Sequence, residues 1–272
     1  MWSNLWFTFR GYIMTTTLAR WSLGLAMATL SCLVSAQQQI RFGTDATFPP
    51  FESKAADGRL QGFDIDIGNA ICENLKAKCV WVENGFDGLI PALHARKFDA
   101  ILSSLSITDE RKKAINFSDK LFNTPAYLVT AKTSGLQPTA ESLRGKRLGV
   151  QQGSVFEAYG KKHWQSRGVE LVSYPSAEAV YADLVVGRLD ATLDDATVVT
   201  EALLQKPPGK DFSLVEPQVK DDAIFGPGTG IGVRKSDEKL LAQLNGAIKA
   251  IRSDGTYDRL AKKYFNFNVY GE

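Results

Sequence analysis

Short apolar runs alternate with stretches of helical spacing along most of the chain. Positions 40–43, 80–82 and 98–102 each read as a strand, the last of them buried. A turn at 58–62 precedes an amphipathic helix that begins at Phe63. Its acids Asp64 and Asp66 fall in the first turn, where they suit the positive end of the helix dipole and serve the helix rather than chemistry. Positions 89–96 also have helical spacing. Beyond them, 127–131, 148–150, 189–193 and 231–233 read as strands, and 177–186, 240–251 and 257–264 as helices. Ser176 is placed to cap the helix that follows it, and Gly187 to end it. Strand, helix and strand in succession predict an α/β fold.

The first 36 residues depart from this rhythm. An apolar run at 23–34 follows Arg20 and ends in Val34-Ser35-Ala36, the small-residue pattern of a secretory signal cut after Ala36. Met14, followed by three threonines, is an alternative start to Met1. Thr29-Leu30-Ser31 is a poor approach to lipidation at Cys32, so an ordinary cleaved leader is expected. No other run approaches the roughly 18 apolar residues of a membrane span. Removing Arg10 and Arg20 from 32 basic residues leaves 30 against 30 acidic ones, a balance with no footprint for nucleic acid or an anionic membrane. Cleavage also removes Cys32 and leaves Cys72 and Cys79. A single pair in an exported chain reads as a disulfide, here joining a helix end to the next strand. Two cysteines alone make no zinc site, and His94 and His163 alone make neither a metal site nor a catalytic pair. No cofactor is expected.

The densest candidate chemistry lies at 101–111, where Ser103, Ser104 and Ser106 leave a strand and lead to a helix start. Thr108 can cap that helix, and Asp109 and Glu110 suit its first turn. Hydroxyls and main-chain N–H groups gather there, and Arg111 adds a planar fork that matches a carboxylate. The same residues would also make a solvated β–α loop. A second anion-suited helix start follows 148–150, where Gly153 permits a tight turn and Ser154 caps. Neither place has the glycine spacing of a nucleotide-phosphate loop. Asp45 and Phe48 leave the carboxyl end of the first strand, the side that faces the crevice of an open α/β sheet, although the aspartate would equally cap a turn. Asp194 and Asp195 end a later strand. Adjacent side chains on an extended chain point opposite ways, so one of the two is expected to face the cleft. Crossings between lobes are expected near 122–126 and at 226–230.

Together these motifs resemble the periplasmic amino-acid-binding proteins of ABC importers (solute-binding protein family 3), most closely the lysine/arginine/ornithine and histidine binders. The resemblance is carried by Gly43-Thr44-Asp45, Gly62-Phe63-Asp64-Ile65-Asp66, the Cys72/Cys79 pair, Phe86-Asp87-Gly88-Leu89-Ile90-Pro91 and the serine turn. Gly187-Arg188-Leu189-Asp190-Ala191, Gly255-Thr256-Tyr257-Asp258 and Ala261-Lys262-Lys263-Tyr264-Phe265 extend it over the mature chain. It implies a two-lobed α/β fold of the type II, Venus-flytrap kind, with a parallel-rich sheet in each lobe and two hinge crossings. Residues 37–124 and 226–272 would form one lobe and 125–225 the other. It further implies a periplasmic, monomeric, non-enzymatic component that takes a cationic L-amino acid (arginine, ornithine, lysine or histidine) and passes it to a membrane permease.

Carried over by position, Arg111 would grip the ligand's α-carboxylate with help from Ser104, Ser106 and the backbone at Val155, beside Ser154. Asp195 would take the α-ammonium, Ser103 and Ser104 would line the floor, and Asp45 would meet the side-chain cation. Phe48 and Phe86 would sandwich the aliphatic stem. Phe48 stands where such binders usually carry tyrosine, Val155 where threonine is usual, and Phe156 where a glutamine holds the ligand's far end. Two other readings remain. One is a binder of glutamine or an opine; the other is an enzyme similar to cyclohexadienyl dehydratases. The latter needs a general acid, and no spare cleft carboxylate or histidine is evident in the sequence.

Overall fold

Two five-stranded sheets carry the chain, which the computed structural model describes over residues 37–271. The expected leader, its cut and the alternative start lie outside the described residues. In the first sheet Lys78–Glu83, Gln39–Thr44 and Ala100–Ile101 run parallel, followed by Gly232–Arg234 and Ile115–Phe117. Gly232–Arg234 is antiparallel to both of its neighbours. The second sheet repeats the plan. Glu170–Tyr174, Arg147–Gln151 and Ala191–Asp195 are parallel, and Ala126–Ala131 is antiparallel to Ala191–Asp195 and to Phe212–Val219. Parallel pairs form the half of each sheet built from strand–helix–strand units, and in each sheet the first strand after a crossing, Gly232–Arg234 or Ala126–Ala131, runs antiparallel to both of its neighbours.

Glu170–Tyr174 and Phe212–Val219 are absent from the strands that the hydrophobic pattern predicts. Both lie at sheet edges and are half exposed, so their residues need not be uniformly apolar. Pro217 and an irregular register between Val215 and Val219 are tolerated for the same reason. Conversely, of the expected strand at 98–102 only Ala100–Ile101 pairs.

The first lobe's largest core lies under the helices Phe63–Asn74, Glu238–Ser253 and Thr256–Tyr264, with Phe42, Ile67, Ile71, Leu244 and Ile248 among its buried members. Cys72 and Cys79 are joined, tying the Phe63–Asn74 helix to the Lys78–Glu83 strand. So short a loop contributes about 2.5 kcal/mol in the chain-entropy picture. Both acids lie in the first turn of this helix as expected, and each also does tertiary work. Asp66 accepts from Lys263 Nζ and Tyr264 Oη, each at 2.7 Å, which pins the last helix. Asp64 is fully buried and accepts from the serine turn.

The chain crosses to the second sheet between Phe117 and Ala126 and returns between Val219 and Gly232. The crossings lie side by side, with Thr229 N–H donating to Phe122 O at 2.8 Å and Leu121 N–H to Thr229 O at 2.9 Å. Glycine is required on the return. A Cβ at Gly226 would stand 2.0 Å from Ile107 O and one at Gly228 2.3 Å from Phe122 O, and both have positive φ. Phe122 is in turn held by Phe51, stacked on it at 4.4 Å, and by Phe63 edge-on at 5.8 Å. Among the described residues no helix is long and apolar enough to cross a membrane.

Phe51 is completely buried in this aromatic knot at the hinge. Phe51→Ala is expected to lower the unfolding free energy by about 3–5 kcal/mol, measured by urea titration of the ligand-stripped protein. A loss under 1 kcal/mol would show that the knot does not brace the crossing.

Candidate functional site

A cavity of about 310 Å³ lies between the carboxyl ends of the two sheets' parallel strands, a volume suited to one small molecule. From the first lobe it is lined by Asp45, Phe48, Phe86, Ser104, Ser106 and Arg111, and from the second by Ser154, Val155 and Asp195. Nine of the ten candidate binding residues thus meet on one surface.

Local capping builds its positive end. Thr108 caps the helix Asp109–Ala114 by accepting from Arg111 N–H at 3.2 Å, which sets where the arginine side chain departs. Its Nη1 donates to Ser106 O and its Nη2 to Gly153 O, both at 3.0 Å, and the guanidinium lies 5.4 Å from the Phe86 ring centre. Loss of water pulls Arg111 down to about 10, so it stays charged at neutral pH. Opposite, Ser154 caps Val155–Tyr159 by accepting from Glu157 N–H at 3.1 Å. Val155 therefore lines the cavity at a helix start, where the first N–H groups have no partner within the helix.

Five carboxyls line the cavity, of which Asp45, Asp195 and Glu52 are buried and Asp221 and Asp222 are not. Asp45 accepts from Gln151 Nε2 at 2.7 Å and Thr47 Oγ1 at 3.1 Å; burial raises its pKa, and these two bonds oppose the rise. Gln151 belongs to the second sheet, so this bond joins the lobes. Asp195 caps Ala196–Val199, its Oδ1 accepting from Thr197 N–H at 2.8 Å and Val198 N–H at 3.1 Å, while Oδ2 accepts from the Thr124 hydroxyl. Burial raises it too. Asp194 turns the other way and accepts from Tyr181 Oη at 2.5 Å, so one member of the pair faces the cleft.

The third buried carboxyl corrects the sequence reading in three places. Ser103 is not on the cavity floor: it is fully buried behind Asp45, accepts from Asp45 N–H at 2.9 Å and donates to Glu52 Oε1 at 3.2 Å. Glu52 lines the cavity with 1% of its surface exposed, and its Oε2 accepts from Ser104 Oγ at 3.1 Å. It is a spare cleft carboxylate of the kind thought missing. Asp64, expected to serve its helix, accepts from Ser104 N–H at 2.7 Å and so holds Ser104 at a positive φ of 47°. Nothing local marks Glu52, which sits in the short hairpin strand Glu52–Lys54 and meets serines about fifty residues on. Gln151 likewise carries no local mark, being the polar end of the strand Arg147–Gln151.

Among the described residues no group of three metal-binding side chains could hold an ion. His94 is exposed, and His163 Nε2 lies 2.7 Å from Asp221 Oδ2. The arrangement instead suits a molecule with one carboxylate and more than one positive group.

Comparison with known proteins places the chain in a family. Residues 40–267 match the family described as bacterial extracellular solute-binding proteins, family 3. The chain is 51% identical over 250 residues to the lysine/arginine/ornithine-binding periplasmic protein of Escherichia coli K12, covering 92% of this chain and 96% of that one. It is 49% identical over 251 residues to the histidine-binding periplasmic protein of the same organism, with the same coverage. A Salmonella typhimurium periplasmic binding protein, described for its high arginine specificity, superposes with a TM-score of 0.78 at 30% identity, over 84% of this chain and all of its own. The chain belongs to the bacterial extracellular solute-binding proteins of family 3.

Proposed function

We propose that the protein captures a cationic L-amino acid (arginine, ornithine, lysine or histidine) between its lobes in the periplasm and delivers it to the membrane permease of an ABC importer. The observation that carries the reading is the charge inventory of the cavity. Arg111 and one helix start can take a single carboxylate, whereas Asp195 on one lobe and Asp45 on the other offer two separate buried acceptors for positive charge; Glu52, Lys220, Asp221 and Asp222 line the cavity too, Asp221 being paired with Lys162 and His163. An α-amino acid uses the first for its ammonium and leaves the second for its side chain. The relatives named for lysine, arginine, ornithine and histidine point the same way.

In this reading Arg111 grips the α-carboxylate with Ser104, Ser106 and the Val155 N–H, and Phe48 and Phe86 flank the stem. The lobe formed by 37–124 and 226–272 closes on 125–225, and ligand shifts the open–closed equilibrium because only the closed form brings both lobes to it. The chain acts as a monomer and takes no nucleic acid, in keeping with its balanced charge. Glutamine is the second reading, since Asp45 already accepts from an amide, that of Gln151. Calorimetry of refolded, ligand-stripped protein against arginine, lysine, ornithine, histidine, glutamine and an opine decides between them. Refolding removes any ligand carried through purification. Tightest binding of a neutral ligand would overturn the cationic reading.

Two substitutions test the clamp. Arg111→Ala would leave a desolvated carboxylate unpaired, a loss of roughly 3 kcal/mol, so affinity should fall at least tenfold; unchanged affinity would discredit the assigned grip. Asp195→Ala should weaken binding and also cost about 1 kcal/mol of stability through the lost helix cap. Asp195→Asn should restore the melting temperature, since asparagine caps as well, but not the affinity. Recovery of both by asparagine would mean that Asp195 serves only the helix.

A further inference from the structure

Glu52 and Asp64 form a pair of buried carboxyls behind the serine turn, and the clamp just described uses neither. Glu52 reaches the cavity surface, whereas Asp64 does not line it. Apart from one another, their partners are neutral: the hydroxyls of Ser103 and Ser104 on Glu52 and the Ser104 N–H on Asp64. Two carboxyls in one dry pocket resist carrying two negative charges. The other titratable groups facing them are Asp45 on the cavity side and Tyr257 on the last helix, whose hydroxyl donates to Leu121 O at 2.6 Å. Arg252 lies beyond the Tyr257 ring, 5.6 Å from its centre, and Arg111 lines the same cavity.

We propose that Glu52 is a further specificity-determining residue, which takes the ligand's cationic end together with Asp45, and that seating the cation expels one proton from the Glu52–Asp64 pair. The proposal rests on the cationic reading above. Before binding, the pair holds one proton and one negative charge. When the ligand brings its positive charge, the carboxyl O–H bond breaks, the proton passes to water, and the pair's second negative charge is matched by the cation. Burial supports this starting state, because it raises Glu52 well above the usual carboxyl range, with the charge of Asp64 adding to the rise, and lifts Asp64 to about 7.

The sign follows from linkage. A complex that holds fewer protons than its parts tightens as pH rises, here by up to about tenfold per unit while the pair titrates and by little once it has lost its proton. Citrulline, which replaces the guanidinium of arginine with a neutral urea group, gives the pair no such reason to ionise.

The test is calorimetry of stripped wild-type protein at pH 6.5 with L-arginine and L-citrulline, in buffers of different ionisation enthalpy, which counts protons. Arginine should release about one proton more than citrulline. Glu52→Gln should remove most of that difference, leaving what Asp45 contributes, and weaken arginine at least tenfold relative to citrulline; the pH slope it retains belongs to Asp45 and Asp195. Arginine binding with no excess proton, or a variant that keeps the wild-type ratio of arginine to citrulline affinity, overturns the inference alone. Failure of the wild type to bind arginine, lysine or ornithine overturns the cationic reading and this inference with it. Should Glu52→Gln not fold, Asp64→Asn carries the same test, because it removes the pair's shared proton and leaves Asp45 in place.

Discussion

The Arg111 guanidinium holds one main-chain carbonyl from each lobe, Ser106 O and Gly153 O, and much of the site's order follows from this. The contact requires the Thr108 cap to aim the side chain and the Gly153 turn to bring a carbonyl to it. The Asp45–Gln151 bond is its counterpart on the acidic side. In each case a charged group of the first lobe meets a neutral dipole of the second. A carbonyl or an amide compensates only part of the desolvation of a buried charge. The shifts show it: Arg111 is pulled down while Asp45, Glu52 and Asp195 are pushed up, each chiefly by burial. A zwitterion with a positive tail offers each of these groups the full opposite charge that the dipoles imitate. Closure around such a ligand is therefore favoured electrostatically at both ends of the cavity.

The hinge makes that closure mechanically possible without loosening either core. The two crossings bond to one another, and the return is built of glycines that let backbone approach backbone. Phe122 on the outward crossing is clamped by Phe51 and Phe63, so the pivot is anchored in the first lobe. Phe48 packs against the main core of the first lobe and also against a core of the second. It can therefore report contact between the lobes as well as contact with a ligand stem.

What could be read from the sequence was what is locally encoded. Thr108, Ser154 and Ser176 all cap as their positions suggest, because a cap needs only a short polar side chain and the N–H groups two or three residues on. The buried strands were legible for the same reason, and the edge strands Glu170–Tyr174 and Phe212–Val219 were not, since a half-exposed edge need not carry an apolar pattern, although the edge strand Lys78–Glu83 does. The opposite facing of Asp194 and Asp195 followed from strand geometry. The hidden layer comprising Ser103, Glu52 and Asp64 was misread or missed because it is held by bonds spanning 40 to 52 residues. A buried carboxyl looks in sequence like a solvated one, and only the fold reveals which acids have lost their water.

This hidden layer bears on how the site discriminates. Where the resemblance leads one to expect side-chain hydrogen-bond donors, the chain has Phe48, Val155 and Phe156, and Phe156 lies beside Phe225 with ring centres 6.2 Å apart. An apolar wall separates ligands that differ by a methylene only weakly, whereas a buried polar group left without its partner rejects strongly. Arginine, lysine and ornithine differ mainly in length and in the shape of the charged end, so such walls give limited means to rank them. On the proposed reading a neutral analogue, by contrast, would face two buried carboxyls, Asp45 and Glu52, and satisfy neither in its ionised form. Selectivity should accordingly be steep for the presence of positive charge and shallow for its carrier, with the steepness set by the layer of acids and serines behind the visible clamp.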